Sequence, residues 1–241
     1  YGASECLPVA VIEGRELQDT RAATEAGAGT CVGRPVPPNQ VRIIAIDDAP
    51  IAHWSAVVEL PAGEVGEITV AGPTTTDSYF NREAATIAAK IVEVRADGGE
   101  QVVHRMGDVG YFDAQPVHRH HGRFAQRVHA AHSALSTEPI EPVFNPHPQV
   151  RRPALVRVGV PGAQRPVLCV ELAAGVDAGQ FQRIQGELRT LAAAHAHTAP
   201  VATFLRHPGF PVDIRHNAKI GREKLAAWAG AALSAGSGGA A

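Results

Sequence analysis

Apolar residues in this chain fall in short runs broken by glycine, proline and acidic residues, a texture that predicts strands more often than helices. Residues 41–46 (Val-Arg-Ile-Ile-Ala-Ile) read as one strand, ended by Asp47 and Asp48. Residues 66–73 read as a second strand with a closing turn. The stretch 79–83 enters a short helix that ends near Lys90. Residues 102–105 form a strand delivering a turn at Gly107 and Asp108, and 109–113 a short strand leaving it. Residues 25–38, rich in glycine and proline, read as loop and turn, and 118–121 (His-Arg-His-His) as a polar edge or loop. The expectation is a β-rich subdomain up to residue 121.

Beyond residue 122 the texture changes. Residues 128–136 show no clear pattern, whereas 137–144 start a helix with a cap residue, early acids and early prolines. Two apolar runs, 154–160 and 167–172, joined by Pro161 and Gly162, predict a pair of strands. Phe181, Ile184, Leu188 and Leu191 recur at three- and four-residue spacing, which predicts a helix over 180–197. Residues 203–205 are a further strand; then come strand (210–214), loop (215–219) and helix (220–232), with a flexible tail at 236–239. Residues 122–241 therefore read as a small α+β domain, and the fold class as mixed α/β.

Composition narrows the class. Hydrophobic residues make up 45% and charged residues 19% of the 241, an ordinary globular balance. A net charge of -2 offers no electrostatic argument for nucleic acid or for an anionic membrane surface. Cys6, Cys31 and Cys169 are odd in number and widely spaced, which points to a reducing, cytoplasmic setting. No apolar run approaches the ~18 residues of a transmembrane segment, and no signal peptide is visible. The first residue is Tyr1, so the expectation is a piece of a longer chain.

Candidate chemistry lies in two places. Asp108 and Arg123 each follow a glycine. The carboxylate can accept hydrogen bonds from the vicinal hydroxyls of a sugar, and the guanidinium can donate to phosphate or hydroxyl oxygens. A nucleotide held between them and an ordinary surface ion pair are both compatible with these two residues. In Tyr1-Gly2-Ala3-Ser4-Glu5, small residues around a hydroxyl and a carboxylate allow close approach to a phosphate and to magnesium, which takes hard oxygen ligands. A frayed terminus with a Ser–Glu capping pair would look similar. Glu5 stands where a nucleophile elbow needs its second glycine, and no Gly-Lys-Ser/Thr follows Gly27-Ala28-Gly29-Thr30, so both of those motifs are rejected. His118, His120 and His121 read as a solvated edge rather than metal ligands, and Cys6 as a small buried apolar residue.

Taken together, the motifs resemble those of the acyl-adenylate-forming ligases: acyl-CoA synthetases, adenylation domains of peptide synthetases, and luciferases. Tyr1-Gly2-Ala3-Ser4-Glu5 is similar to the family's aromatic-Gly-x-Thr-Glu, with Ser4 for the usual threonine. Gly33-Arg34-Pro35 before Val41-Arg42-Ile43, and Gly66-Glu67-Ile68 through Gly72 to Tyr79-Phe80-Asn81, resemble the next two segments. Arg105-Met106-Gly107-Asp108-Val109-Gly110-Tyr111 and Asn217-Ala218-Lys219-Ile220-Gly221-Arg222 resemble the last two. The resemblance implies that residues 1–121 are the β-rich end of a large N-terminal AMP-binding domain and 122–241 its mobile C-terminal cap. It implies that Tyr1, Gly2, Ala3 and Ser4 line the adenine and α-phosphate, and that Glu5 binds Mg2+. Asp108 would hold the ribose of ATP, with Arg123 contacting the same nucleotide. Lys219 would enter the site for adenylation. The family's triphosphate loop and most of its acyl pocket would precede Tyr1.

Departures carry further information. The family's hinge Asp is Ala125 here, a following Lys is His129, and residues 130–135 lack the glycine and arginine of a hairpin that shapes the thiol tunnel in thioester-forming relatives. That puts the thioester half-reaction in doubt. Residues 5–10 with 12–16, 137–139 and 211–219 resemble one branch, the β-lactone synthetases of bacterial olefin biosynthesis. That branch activates a long-chain 2-alkyl-3-hydroxy fatty acid and closes it through its own 3-hydroxyl, among other enzymes of a hydrocarbon pathway. A conventional fatty-acyl-CoA or acyl-AMP ligase and a non-catalytic nucleotide-binding module are the alternatives.

Overall fold

The computed structural model describes residues 1–113, 118–123, 128–130, 133–160, 163–213 and 219–237, with the side chains of 118–123, 128–130, 133–134 and 236–237 outside that description. The chain divides into two compact units, Tyr1–Arg21 with Gly29–Ala125, and Ala22–Ala28 with Gln126–Ala241.

The first unit is a seven-stranded sheet. In chain order it holds β1 (Ala10–Val11), α1 (Gly14–Asp19), β2 (Thr30–Pro35), β3 (Gln40–Ile44) and β4 (Gly66–Ala71), with α2 (Arg21–Glu25) running across the unit boundary. Then come α3 (Glu83–Ala89), β5 (Lys90–Val94), β6 (Glu100–Phe112) and β7 (His118–Arg123). The strand order is β1-β2-β7-β6-β4-β3, and β5 pairs with β6. Successive strand residues face opposite sides of a sheet. Ile43, Ile68 and Val70 accordingly join Cys6, Val9 and Met106 in one core, while Ile44 and Ala71 join Ile91 and Val103 in another. β4 is buried along its whole length because it lies between β3 and β6 with both faces covered.

Three expectations are corrected here. Residues 30–35 are not loop: β2 pairs antiparallel with β1 and with β7, so two partners supply the backbone hydrogen bonds that its glycine- and proline-rich neighbourhood obscures. Residues 118–121 are neither edge nor loop, because β7 lies between β2 and β6. Gly107 and Asp108 do not form a turn between two strands; β6 is one strand of 13 residues. Gly107 adopts φ +65°, a left-handed conformation that costs a residue with a side chain roughly 1–2 kcal/mol, and the register against β4 slips there. On its other side β6 pairs with β5 through Glu100–His104 and with β7 from Asp108 onward, so the bulge marks the change of partner.

In the second unit β8 (Val128–Ala130) and β9 (Ser133–Leu135) form an antiparallel hairpin where no pattern was expected. Next come α4 (Thr137–Ile140), which gives way to a 3-10 turn over Glu141–Phe144, then β10 (Val150–Val158) and β11 (Arg165–Leu172). α5 (Phe181–Ala193), β12 (Thr203–Arg206) and α6 (Arg222–Ser237) follow. α5 stops four residues short of the expected 197, and the described residues of the expected strand 210–214 contribute only the bridge between Val212 and Ile220. β11 pairs antiparallel with β10 and parallel with β12, the crossover being α5. Leu155, Leu168 and Phe204 face Ile184 and Leu188 of α5, while Val156 and Cys169 face Leu225 and Ala229 of α6. Each such fully buried aliphatic or aromatic side chain contributes about 1.5–3 kcal/mol through loss of water contact. Pro161, Gly162, residues 214–218 and the tail from 238 lie outside the described residues.

Candidate functional site

The chain starts with a tight turn. Ala3 and Cys6 exchange backbone hydrogen bonds (3.0 and 2.9 Å), which places Ser4 and Glu5 at the tip. Gly2 is required by space: a Cβ there would sit 2.6 Å from Leu7 Cδ1 and 2.9 Å from the Cys6 carbonyl oxygen. Tyr1 is held by Val9, whose N–H donates to the Tyr1 carbonyl at 2.9 Å. Cys6 is fully buried, bridges Thr75, and brings its Sγ to 3.4 Å from the hydroxyls of both Thr74 and Thr75. The turn thus lies against the segment that follows β4, where the Thr76 N–H donates to the Glu5 carbonyl at 2.9 Å.

Two long-range contacts complete the arrangement. The Tyr1 hydroxyl donates to Asp108 Oδ2 at 2.7 Å, joining the first residue of the turn to β6. Asp108 is only 3% exposed, which overturns the reading of it as half of a surface ion pair. Arg123 stands opposite Asp108 in the β6–β7 register; its side chain, like those of His118, His120 and His121, lies outside the description. Ala125 lies outside it entirely.

The second contact is between Tyr79 and Glu5, the tyrosine hydroxyl donating to Oε1 at 2.9 Å. Burial pushes the Glu5 carboxyl up, but the hydrogen bonds from Tyr79 and from its own backbone N–H, with the Lys90 charge, outweigh it and hold the group below its ordinary value. The Tyr79 hydroxyl is pushed up to about 12 by burial and by the Glu5 charge, so it stays a donor. Lys90, on β5, donates to the Thr76 carbonyl and, at 3.1 Å, to the Thr76 hydroxyl. His104 is pushed down to about 4, chiefly by burial and then by Lys90, and is neutral near pH 7. Glu5 is therefore an ionised carboxylate on a polar turn, the hard anionic oxygen donor that magnesium accepts along with waters and phosphate oxygens. Tyr1, Gly2, Ala3, Ser4, Glu5 and Asp108 come together in the first unit.

Lys219 belongs to the second unit and is exposed, with its carbonyl accepting from the Asp213 N–H at 2.9 Å. Sequence reasoning missed Tyr79 and Lys90 as site neighbours. Tyr79 could have been found, since it sits in a recognised motif; a lysine at a helix end carries no such signal.

No protein-family model matches the chain. It is 69% identical over 229 residues to the olefin beta-lactone synthetase of Xanthomonas campestris pv. campestris, covering 95% of this chain and 41% of that protein. It is 66% identical over 233 residues to the olefin beta-lactone synthetase of Stenotrophomonas maltophilia, covering 97% and 42%. The chain thus spans less than half the length of these curated relatives. Among solved structures, the amide bond synthetase McbA of Marinactinospora thermotolerans superposes with a TM-score of 0.63 at 26% identity, over 83% of this chain and 36% of that one. By sequence this chain is homologous to olefin beta-lactone synthetases across nearly its whole length, and its fold is that of the acyl-adenylate-forming enzymes.

Proposed function

We propose that this chain serves the ATP-dependent activation of a long-chain 2-alkyl-3-hydroxy fatty acid and its closure to a β-lactone, in the cytoplasm and alongside other enzymes of hydrocarbon synthesis. The observation that carries the reading is the high identity to two olefin beta-lactone synthetases along nearly the whole chain. The Tyr1–Asp108 contact supports it, because it unites two nucleotide motifs far apart in sequence. Residues 1–121 act as the end of the AMP-binding domain and 122–241 as its cap. Tyr1, Gly2, Ala3 and Ser4 line the nucleotide, Asp108 binds the ribose hydroxyls, and Arg123 contacts the same nucleotide. Glu5, steadied by Tyr79, would hold Mg2+, which when bound screens the phosphate charge.

In the first step a carboxylate oxygen of the fatty acid attacks the α-phosphorus of ATP. The bond from that phosphorus to the bridging oxygen breaks, and pyrophosphate leaves with the electron pair. Lys219 stabilises the charge that builds on the phosphoryl oxygens. In the second step the 3-hydroxyl oxygen attacks the adenylate carbonyl carbon, the carbon–oxygen bond to phosphate breaks, AMP departs with the pair, and the hydroxyl proton passes to solvent. Because the nucleophile is tethered, its effective concentration is high and no thiol is needed.

A second reading, a conventional fatty-acyl-CoA ligase, is favoured by one observation: the β8–β9 hairpin keeps its backbone pairing although its signature residues are gone. The two readings part in a chimera where these residues replace the matching stretch of the Xanthomonas relative. With ATP, Mg2+ and a 3-hydroxy fatty acid, AMP release without any thiol is expected, together with a lactone product; strict dependence on coenzyme A would select the second reading. In the same chimera, Asp108→Ala is expected to weaken ATP binding by about ten- to a hundredfold, since a charge-assisted hydrogen bond is worth roughly 1.5–3 kcal/mol. An unchanged dissociation constant by calorimetry would remove Asp108 from the ribose site.

A further inference from the structure

The loop that carries Lys219 is drawn closed at its base. Val212 and Ile220 form an antiparallel bridge, the Asp213 N–H donates to the Lys219 carbonyl at 2.9 Å, and the Gly221 N–H donates to the Pro211 carbonyl at 2.7 Å. A closed base alone does not set the direction in which Lys219 leaves it. That direction depends on how the two chain ends leave the base.

At the incoming end, the Phe210 N–H donates to Glu171 Oε1 at 2.7 Å, a buried contact. Glu171 projects from β11 and is 3% exposed; its second oxygen, Oε2, accepts from Arg152 Nε of β10. The Arg152 guanidinium also lies 5.2 Å from the centroid of the Phe210 ring, so backbone and side chain of Phe210 are held by the same ion pair. At the outgoing end, Arg222 grips Glu141 with both prongs, Nη1 to Oε1 at 2.5 Å and Nη2 to Oε2 at 2.9 Å. Nη1 also donates to the Leu155 carbonyl at 3.0 Å, and the Leu155 N–H donates to Glu141 Oε1 at 2.7 Å. Glu141 is thus bonded to β10 and to the first residue of α6 at once. Two-pronged Arg–carboxylate contacts set orientation as well as distance.

We propose that Glu141 and Glu171 are positioning residues: they fix the outgoing and incoming ends of the Lys219 loop and so aim the ammonium group. This rests on Lys219 acting in adenylation. Neither carboxylate sits in the loop's motif, and neither is needed to close the sheet, whose strands pair through their own backbones. Glu171 instead reaches out of the sheet, and Glu141 across from the 3-10 turn, to the chain on either side of the loop.

The test has two parts with separate readouts. In the 241-residue chain itself, hydrogen–deuterium exchange is followed for wild type, Glu141→Gln and Glu171→Gln. In Glu141→Gln the amide N–H meets an Arg222 N–H, and in Glu171→Gln it meets either the Arg152 Nε–H or the Phe210 N–H. Amides between 210 and 222 are expected to exchange at least ~tenfold faster, while those of α5 and β12 stay unchanged. In the chimera, ATP–pyrophosphate exchange is measured for the same variants with and without Lys219→Ala. Each glutamine variant is expected to lower kcat by about 10–100-fold with KM for ATP within about twofold, as a misaimed group does. In the Lys219→Ala background it should cost almost nothing more, because the residue being aimed is gone. Should Glu141→Gln fail to fold, Arg222→Lys keeps the charge but loses the fork, and should show the same split. Losses that multiply fully with that of Lys219→Ala, or unchanged exchange across 210–222, would overturn the proposal. Normal turnover in Lys219→Ala would instead overturn the role of Lys219, even with the exchange result intact.

Discussion

Lys219→Ala is expected to lower AMP release by two to three orders of magnitude while leaving the thermal midpoint where it was. The first half follows from charge: attack on the α-phosphate builds negative charge on the phosphoryl oxygens, and removing one positioned donor from such a site costs about 10²–10³ in kcat. The second half follows from placement. The Lys219 side chain is exposed, and only its backbone carbonyl takes part in the base of the loop, so alanine keeps every contact that the structure gives this residue. Turnover in the chimera and thermal unfolding of the same protein give both numbers. A variant that unfolds early and turns over normally per folded molecule would make Lys219 a structural residue.

The largest stability loss is expected at Arg105, in the same motif as Asp108 but turned to a different task. Its guanidinium donates to Glu67 Oε2 from Nε (3.0 Å) and Nη2 (2.6 Å), and reaches the carbonyls of Asp47 (2.5 Å) and Ala49 (2.8 Å). Arg105 is 8% exposed and Glu67 3%. Arg105→Leu removes these donors from a buried carboxylate and from the carbonyls of Asp47, Ala49 and Ala88, and should destabilise the first unit by about 3–5 kcal/mol. Arg105→Leu with Glu67→Leu should recover much of that loss, since the buried charge that Arg105 balanced is removed with it. The chain has two tryptophans, so Trp54 fluorescence in a Trp228→Phe background reports on the first unit alone. A loss below ~1 kcal/mol would mean that water enters and solvates Glu67 in the variant.

Local pattern proved sufficient where an element's stability is itself local or its apolar face is complete. The runs at 41–46, 66–73, 154–160 and 167–172 became β3, β4, β10 and β11, and the spacing of Ile184 and Leu188 became the buried face of α5. Motif order singled out Asp108 and Lys219 as candidates because each motif is a short unbroken string. The pattern failed at β2 and at the β8–β9 hairpin, where few apolar residues recur. It also divided β6 in two at Gly107, since glycine breaks a strand in sequence whether the chain turns there or merely bulges.

By itself the sequence determined the kinds of residue present, the periods of strands and helices, and the motifs that carry the resemblance, because these depend on neighbours a few positions apart. Tertiary structure alone decided which of those residues meet. Tyr1 reaches Asp108 across 107 positions and Tyr79 reaches Glu5 across 74. Glu141 reaches Arg222 across 81. β2 is a strand because β1 and β7 satisfy its backbone groups, not because its own residues favour that state. Such pairings are set by the packing of both faces of a sheet and by the cost of leaving a buried polar group without a partner, and neither quantity exists until the chain has folded.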